Sequence, residues 1–232
     1  MRLDKFLCEL NIGSRSQVKD LIRKGTVTVN GTVVKTPDLK IDENSDLVTV
    51  KGEPLSYQKF VYYMLNKPQG VVSATKDNTA DTVLKLIPDK TTKNLFPVGR
   101  LDKDTEGLLL ITNDGELSHR LLSPKKHVDK TYLVGIRAGL SPEDVKRLEE
   151  GVDIGDEKPT APAKVNILSD KQITLTIHEG RYHQVKRMLF AVGNEVVTLK
   201  RIQFGPLSLD ETLLPGECRP LSDREVAILH ES

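Results

Sequence analysis

The chain has 232 residues, 38% of them hydrophobic and 29% charged, with a formal net charge of +1. That is enough apolar material for one large domain or two smaller ones, and the charge is too balanced for its total to name a partner. Two cysteines far apart, Cys8 and Cys218, exclude a disulfide scaffold and a zinc site and fit a reducing compartment. The start, MRLDKFLCEL, carries acids and no long apolar core, and no stretch is long enough to span a bilayer. A cytoplasmic protein without a membrane partner is expected.

Leu3, Phe6, Leu7 and Leu10 recur at helical spacing, which predicts a short helix over 2–10. Ser14 is placed to cap a second helix in SRSQVKDLIRKG, and Gly25 to end it. Val18, Leu21 and Ile22 form the apolar stripe of that helix, while Arg15, Lys19 and Arg23 form a separate basic one at i, i+4 and i+8. TVTVNGTVV then predicts a hairpin turning at Asn30-Gly31, and residues 47–50 a closing strand. Within residues 1–40, eight lysines and arginines oppose four acids. A basic stripe of this kind is either a solvated helix face or a row of phosphate contacts along an RNA backbone.

KGEPLSYQK, residues 51–59, reads as linker chain, and the domain boundaries are drawn at 1–56, with a link at 57–60 and a second domain over 61–232. The second domain opens with a β-rich run at 61–65, a turn over Asn66–Gly70 and a further strand at Val71-Val72. A short helix is expected at 79–87, a buried strand over Leu108–Ile111 and a helix over Glu116–Leu122. A strand at 131–136 and a capped helix at 141–151 follow. Paired strands are expected at 163–168 and 172–178, a helix at 181–193, and strands near 195–202 and 207–209. SDREVAILH closes the chain with capping-box spacing between Ser222 and Glu225. Strands mixed with helices, without regular βαβ alternation, indicate an α+β fold.

PVGRLDKDTEGLLLIT, from Pro97 to Thr112, sets Asp102, Asp104 and Glu106 at alternate positions before an apolar run. Four readings compete: a polar loop, an aspartyl-phosphate phosphatase, a glycosidase, and a carboxylate acting on a nucleoside. The phosphatase design needs its pair of aspartates straight after an apolar strand, and Phe96–Arg100 stands there instead. A glycosidase needs two carboxyls at a set separation, and a chain with 4% aromatics and no tryptophan has little to stack a sugar on. The nucleoside reading needs one ionised aspartate beside a sugar, an aromatic against the base and cations nearby, with no metal and no redox cofactor.

That constellation resembles the pseudouridine synthases. Gly99-Arg100-Leu101-Asp102-x-x-Thr105-x-Gly107-Leu108-Leu109 resembles their catalytic loop, Lys130-Thr131-Tyr132 a second motif, and Glu179-Gly180-Arg181-Tyr182-His183-Gln184-Val185-Lys186-Arg187-Met188 a third. Leu65-Asn66-Lys67-Pro68-x-Gly70 resembles the first motif of the family, so four motifs stand in order across residues 60–210. RLDKFL, SRSQVKDLIRKG and TVTVNG, in about residues 1–50, resemble the αL RNA-binding module named after a small-subunit ribosomal protein.

The resemblance implies a small helix–helix–hairpin RNA-binding domain, then a catalytic domain with a mixed, mainly antiparallel central sheet flanked by helices. It implies catalytic roles for Asp102, for Tyr132 stacked on the base, for Lys186 paired with the aspartate, and for Arg100 in the space vacated by the base or on the backbone. The implied RNA contacts are Arg15, Lys19, Arg23, Lys67, Arg181 and Arg187. A cation within a few ångströms lowers a carboxylate pKa by roughly 1–3 units, which suits Asp102 to act ionised. Asp104 and Glu106 are expected to be solvated or structural, His183 structural, and Arg201 a phosphate contact or surface charge.

Whole-chain layout resembles the RsuA family, which modifies one uridine in 16S ribosomal RNA. The implied partner is therefore ribosomal RNA, 16S or a small-subunit assembly intermediate, met by a monomer without cofactor. The same reaction on large-subunit ribosomal RNA or transfer RNA remains an alternative, as does a largely non-catalytic RNA-binding assembly factor.

Overall fold

The structure is a computed structural model, and it describes residues 1–43, 45–55, 60–88, 94–123 and 128–232. Of the expected link at 57–60, residues 57–59 lie outside the described residues. The chain divides into two compact units near Val61, and each has a core of its own.

In the first unit, helix α1 (Leu3–Glu9) packs on α2 (Arg15–Arg23). Ser14 and Gln17 make a reciprocal capping box at the start of α2, which satisfies two donors that helix geometry leaves free. Strands β1 (Val27–Val29), β2 (Thr32–Val33), β3 (Val48–Val50) and β4 (Glu53–Leu55) form an antiparallel sheet in the order β2-β1-β3-β4. Asn30 and Gly31 both adopt positive φ, 49° and 78°, the pairing that a two-residue hairpin turn requires. Leu3, Phe6, Leu7, Val18, Ile22 and Val48 are fully or almost fully buried between helices and sheet. β4 lies inside the stretch that composition marked as linker; it adds an edge strand to β3 despite Pro54, since proline is tolerated at an edge.

The second unit is built on a seven-strand path, β13-β5-β7-β11-β8-β10-β9. Its members are β5 (Tyr62–Lys67), β7 (Glu106–Thr112), β8 (Lys130–Ile136), β9 (Lys164–Ser169), β10 (Gln172–Ile177), β11 (Val196–Phe204) and β13 (Cys218–Pro220). Short β6 (Phe96–Pro97) pairs with β7, and β12 (Leu207–Ser208) with β11. All neighbours run antiparallel except β7 and β11, which are parallel. Helices α3 (Gly115–Leu122), α4 (Pro142–Glu150), α5 (Gln184–Ala191) and α6 (Asp223–Glu231) complete an α+β fold with a mixed, mainly antiparallel sheet. Leu108–Ile111 are fully buried, as a continuous apolar run in a central strand should be.

Two expected helices are shorter than their patterns. The one at 79–87 is a single 3-10 turn, Val83–Leu86. The one at 181–193 begins at Gln184, because His183 takes left-handed backbone angles (φ 48°, ψ 34°) and breaks the chain there. No helix among the described residues is long and apolar enough to cross a membrane.

Candidate active site

The residues before β7 form a loop whose backbone is fixed from beneath. Lys67, the last residue of β5, is fully buried. Its ammonium donates to the carbonyls of Thr105 (2.8 Å), Asp102 (2.9 Å) and Pro68 (3.0 Å), and at 3.4 Å to that of Lys103. Ser73 adds a clip: its hydroxyl accepts from the Leu101 N–H at 3.0 Å and donates to the Leu101 carbonyl at 2.9 Å. Gly70 N–H donates to Lys103 O at 2.8 Å. Burial pulls the Lys67 pKa down to about 8 against the opposing pull of Asp104, Asp102 and Glu106. The expected RNA contact at Lys67 is thus corrected: this lysine lies under the loop, where an unpaired ammonium is tolerable because carbonyl dipoles surround it.

On top of that loop, the Asp102 carboxylate forms an ion pair with Lys186. Lys186 Nζ lies 3.2 Å from Asp102 Oδ2 and 2.6 Å from Asp104 Oδ1. Burial alone would lower the Lys186 pKa, but the bonds to Asp104 and Asp102 outweigh it and hold the pKa above its ordinary value. The same bond to Lys186 holds Asp104 below the usual carboxylate range. Asp104 is therefore more than a solvated loop residue: it shares the cation of Asp102. His183 also enters the site, its Nε2 3.7 Å from Asp102 Oδ2 and its ring stacked 3.8 Å from that of Tyr182. The left-handed turn at His183 aims the imidazole this way, which periodicity could not disclose.

Asp102, Lys186 and Arg100 line a cleft of about 530 Å³ together with Tyr132, Arg201 and Phe204. Tyr132 is buried on β8 opposite Arg201 of β11, and Arg201 in turn lies opposite Gly107 of β7. Gly107, at φ 104°, comes so close to β11 that a Cβ there would stand 2.2 Å from the Arg201 carbonyl oxygen. Arg201, expected as a phosphate contact or surface charge, is 2% exposed, gives its Nε–H to Leu108 O at 2.8 Å and stacks 4.9 Å from the Phe204 ring centroid. Burial lowers its pKa, and its interaction with Tyr132 partly offsets that. Lys130 is buried beside it, donating to Val128 O (3.0 Å) and His178 O (3.1 Å), with its pKa pulled down to about 8 by burial and by Arg201. The cleft is thus strongly cationic below; of its two lining carboxylates Glu179 is paired with Arg181 and Asp102 with Lys186, while Arg100 is exposed. The sequence offers no signal for Ser73 as a site residue or for the burial of Lys130 and Arg201, since Leu101, His178 and Leu108, which they bond, lie tens of residues away.

Arg181 and Arg187, expected to meet RNA, are held by acids. Arg181 pairs with Glu179 at 2.7 Å, and Arg187 with Asp156 at 2.6 Å. In the first unit Arg15 and Arg23 are exposed and Lys19 half-buried, and no salt bridge is formed by the three among the described residues. Among the described residues no group of three or more His, Cys, Asp and Glu side chains could hold a metal ion.

Comparison with known proteins agrees with this geometry. A family model for RNA pseudouridylate synthase matches residues 61–191, and one for the S4 domain matches residues 1–47. A Bacillus subtilis (strain 168) protein named uncharacterized RNA pseudouridine synthase YtzG is 51% identical, covering 100% of this chain and 99% of its own. The Escherichia coli (strain K12) ribosomal small subunit pseudouridine synthase A is 44% identical over 98% of this chain and 99% of its own. A crystal structure of a pseudouridylate synthase superposes with a TM-score of 0.70 at 42% identity, covering 99% of each chain. With an S4 domain followed by a complete synthase fold, the chain belongs to the RsuA family of RNA pseudouridine synthases, which are isomerases.

Proposed function

We propose that this chain converts one uridine of small-subunit (16S) ribosomal RNA to pseudouridine, acting as a cytoplasmic monomer without cofactor. The observation that carries the reading is the Asp102 carboxylate, held by Lys186 at the rim of a cleft that also contains Tyr132. The names of the full-length relatives favour the small ribosomal subunit as the source of the substrate.

In this reading the target uridine leaves its stack, at a cost of a few kcal/mol, and enters the cleft. A cleft of about 530 Å³ has room for a nucleotide. Asp102 is the carboxylate that acts on the nucleoside, paired with the Lys186 ammonium at 3.2 Å. The bond from the sugar to the ring nitrogen breaks, uracil turns, and a bond forms from the same sugar carbon to a ring carbon. That ring carbon then loses its proton and the freed ring nitrogen takes one up, so the product is an isomer and no oxidant or reductant is consumed. Tyr132 stacks on the base and assists the final proton loss. Exposed Arg100 holds the displaced backbone or fills the gap left in the stack. Arg15, Lys19 and Arg23 grip the RNA backbone through phosphate contacts.

The test is a map of pseudouridine in 16S transcripts, and in partly assembled small subunits, after incubation with wild type and with Asp102→Ala. Wild type should modify one uridine and the variant none, with the RNA still bound. Binding without modification by wild type defeats the enzyme reading for this RNA; retained activity in Asp102→Ala defeats the role given to that carboxylate.

A further inference from the structure

We propose that Arg187 is a binding site for an RNA backbone phosphate and that Asp156 occupies this site in the free protein. The proposal rests on the reading that the substrate is RNA. It separates two arginines that look equivalent in sequence.

Arg181 is saturated. Its Nε and Nη2 donate to Glu179 Oε1 (3.2 and 2.7 Å), Nη2 also to Pro159 O (2.9 Å), and Nη1 to Lys158 O (2.6 Å) and Asp156 Oδ2 (3.4 Å). A guanidinium has five N–H donors, and here all five have acceptors. Arg181 is a clip that pins the loop after α4 to the turn before α5.

Arg187 is served poorly by comparison. Both Nη1 (3.0 Å) and Nη2 (2.6 Å) point at a single oxygen, Asp156 Oδ1, and its Nε is buried without a hydrogen-bond partner. The planar fork of arginine is best met by two separate oxygens, as a phosphate presents them. Asp156 stands next to Gly155, which has φ 82° and donates its N–H to Asp153 at 2.8 Å, so the carboxylate is carried on a tight, glycine-dependent turn. The pair remains open to water: the side chains are 28% and 34% exposed. An incoming phosphate can therefore replace one anion by another without stripping a buried charge. Arg187 is also the residue after Lys186, the cation that holds Asp102, so a phosphate bound there sits at the catalytic helix.

The experiment measures binding of a 16S transcript across a salt series for wild type, Asp156→Asn, Arg187→Gln, the double variant, and Glu157→Gln as a neighbouring charge control. Thermal midpoints check folding. Asp156→Asn should bind about fivefold tighter with a salt slope steeper by about one, because Arg187 no longer has to give up an internal anion. Arg187→Gln should weaken binding and make the slope shallower by about one. The double variant should lose the gain. An unchanged affinity in Asp156→Asn, an equal gain in Glu157→Gln, or a gain that survives in the double variant overturns the proposal. Should Asp156→Asn fail to fold, Arg187→Gln decides alone, since an unchanged slope overturns it. A wild type that binds no RNA overturns this proposal and the proposed function together; normal binding with no response at either residue overturns this one only.

Discussion

Lys67 sits in the second unit with no carboxylate in contact, yet its ammonium carries the loop that presents Asp102. Replacing it with methionine keeps much of the volume and removes every donor. The carbonyls of Asp102 and Thr105 then lose a partner, which costs about 1–3 kcal/mol, and the carboxylate above them loses its fixed position. Lys67→Met should therefore lower both the urea midpoint and the rate of pseudouridine formation. The pH dependence adds a sharper check. Burial holds the folded group down at about 8, below the ordinary lysine value of 10.5 that the unfolded chain has. Between those values the unfolded chain binds more protons, so this lysine makes stability rise with pH; below about 8 its burial cost is fully present. Lys130, also near 8, contributes a similar slope. The variant should show a clearly smaller rise from pH 8 to 10.5 than wild type, with the Lys130 part remaining; identical slopes would sink this account of Lys67. The motif spacing pointed to Asp102 and Lys186, and the structure brings those two together. It could not distinguish a buried lysine from an exposed one, because burial is decided by chain some 35 residues away.

The element that matters most to the site is the parallel pairing of β7 with β11. It sets Gly107 against Arg201, and Arg201 against Tyr132 on β8. Parallel neighbours lack the short-turn signals that reveal a hairpin, so nothing local in Leu108–Ile111 or in 195–202 discloses this contact. Capped helices and the Asn30-Gly31 hairpin, by contrast, carry their own signals and stand where the pattern puts them. Helix α5, which carries Lys186, falls between the two cases: its apolar face is legible, its start is not, because His183 turns left-handed. Gly107→Ala tests the pairing. Its Cβ would meet the Arg201 carbonyl at 2.2 Å and its φ of 104° is hostile to any side chain. A loss of about 3 kcal/mol or failure to fold is expected, since backbone strain adds to overpacking. Gly115→Ala is the matched control: it starts α3, has nothing within 4 Å and should change stability by less than about 0.5 kcal/mol. Equal urea midpoints for the two variants would refute the close approach of β7 and β11.

At the scale of the whole molecule, a formal charge of +1 conceals an uneven distribution. Around the cleft the second unit turns most of its cations inward, with Lys67, Lys130 and Arg201 buried and Lys186, Arg181 and Arg187 paired with acids, while Arg100 stays exposed. The first unit spends them outward, with Arg2 and Lys5 paired to Asp4 and Glu9 while Arg15 and Arg23 lie exposed on α2. That division predicts a division of labour that can be measured. Arg15→Glu with Lys19→Glu reverses two charges on a helix whose core face, Val18 and Ile22, is untouched, so folding should be preserved. RNA affinity should fall by tenfold or more, and the slope of log affinity against log salt should flatten by about two, one for each lost phosphate contact. The rate at saturating RNA should stay near that of wild type, because the cleft is lined wholly by residues of the second unit. Asp102→Ala should do the reverse, keeping affinity and slope and losing turnover. If the double reversal leaves affinity and salt slope unchanged, the stripe on α2 is a solvated face and the RNA is held elsewhere.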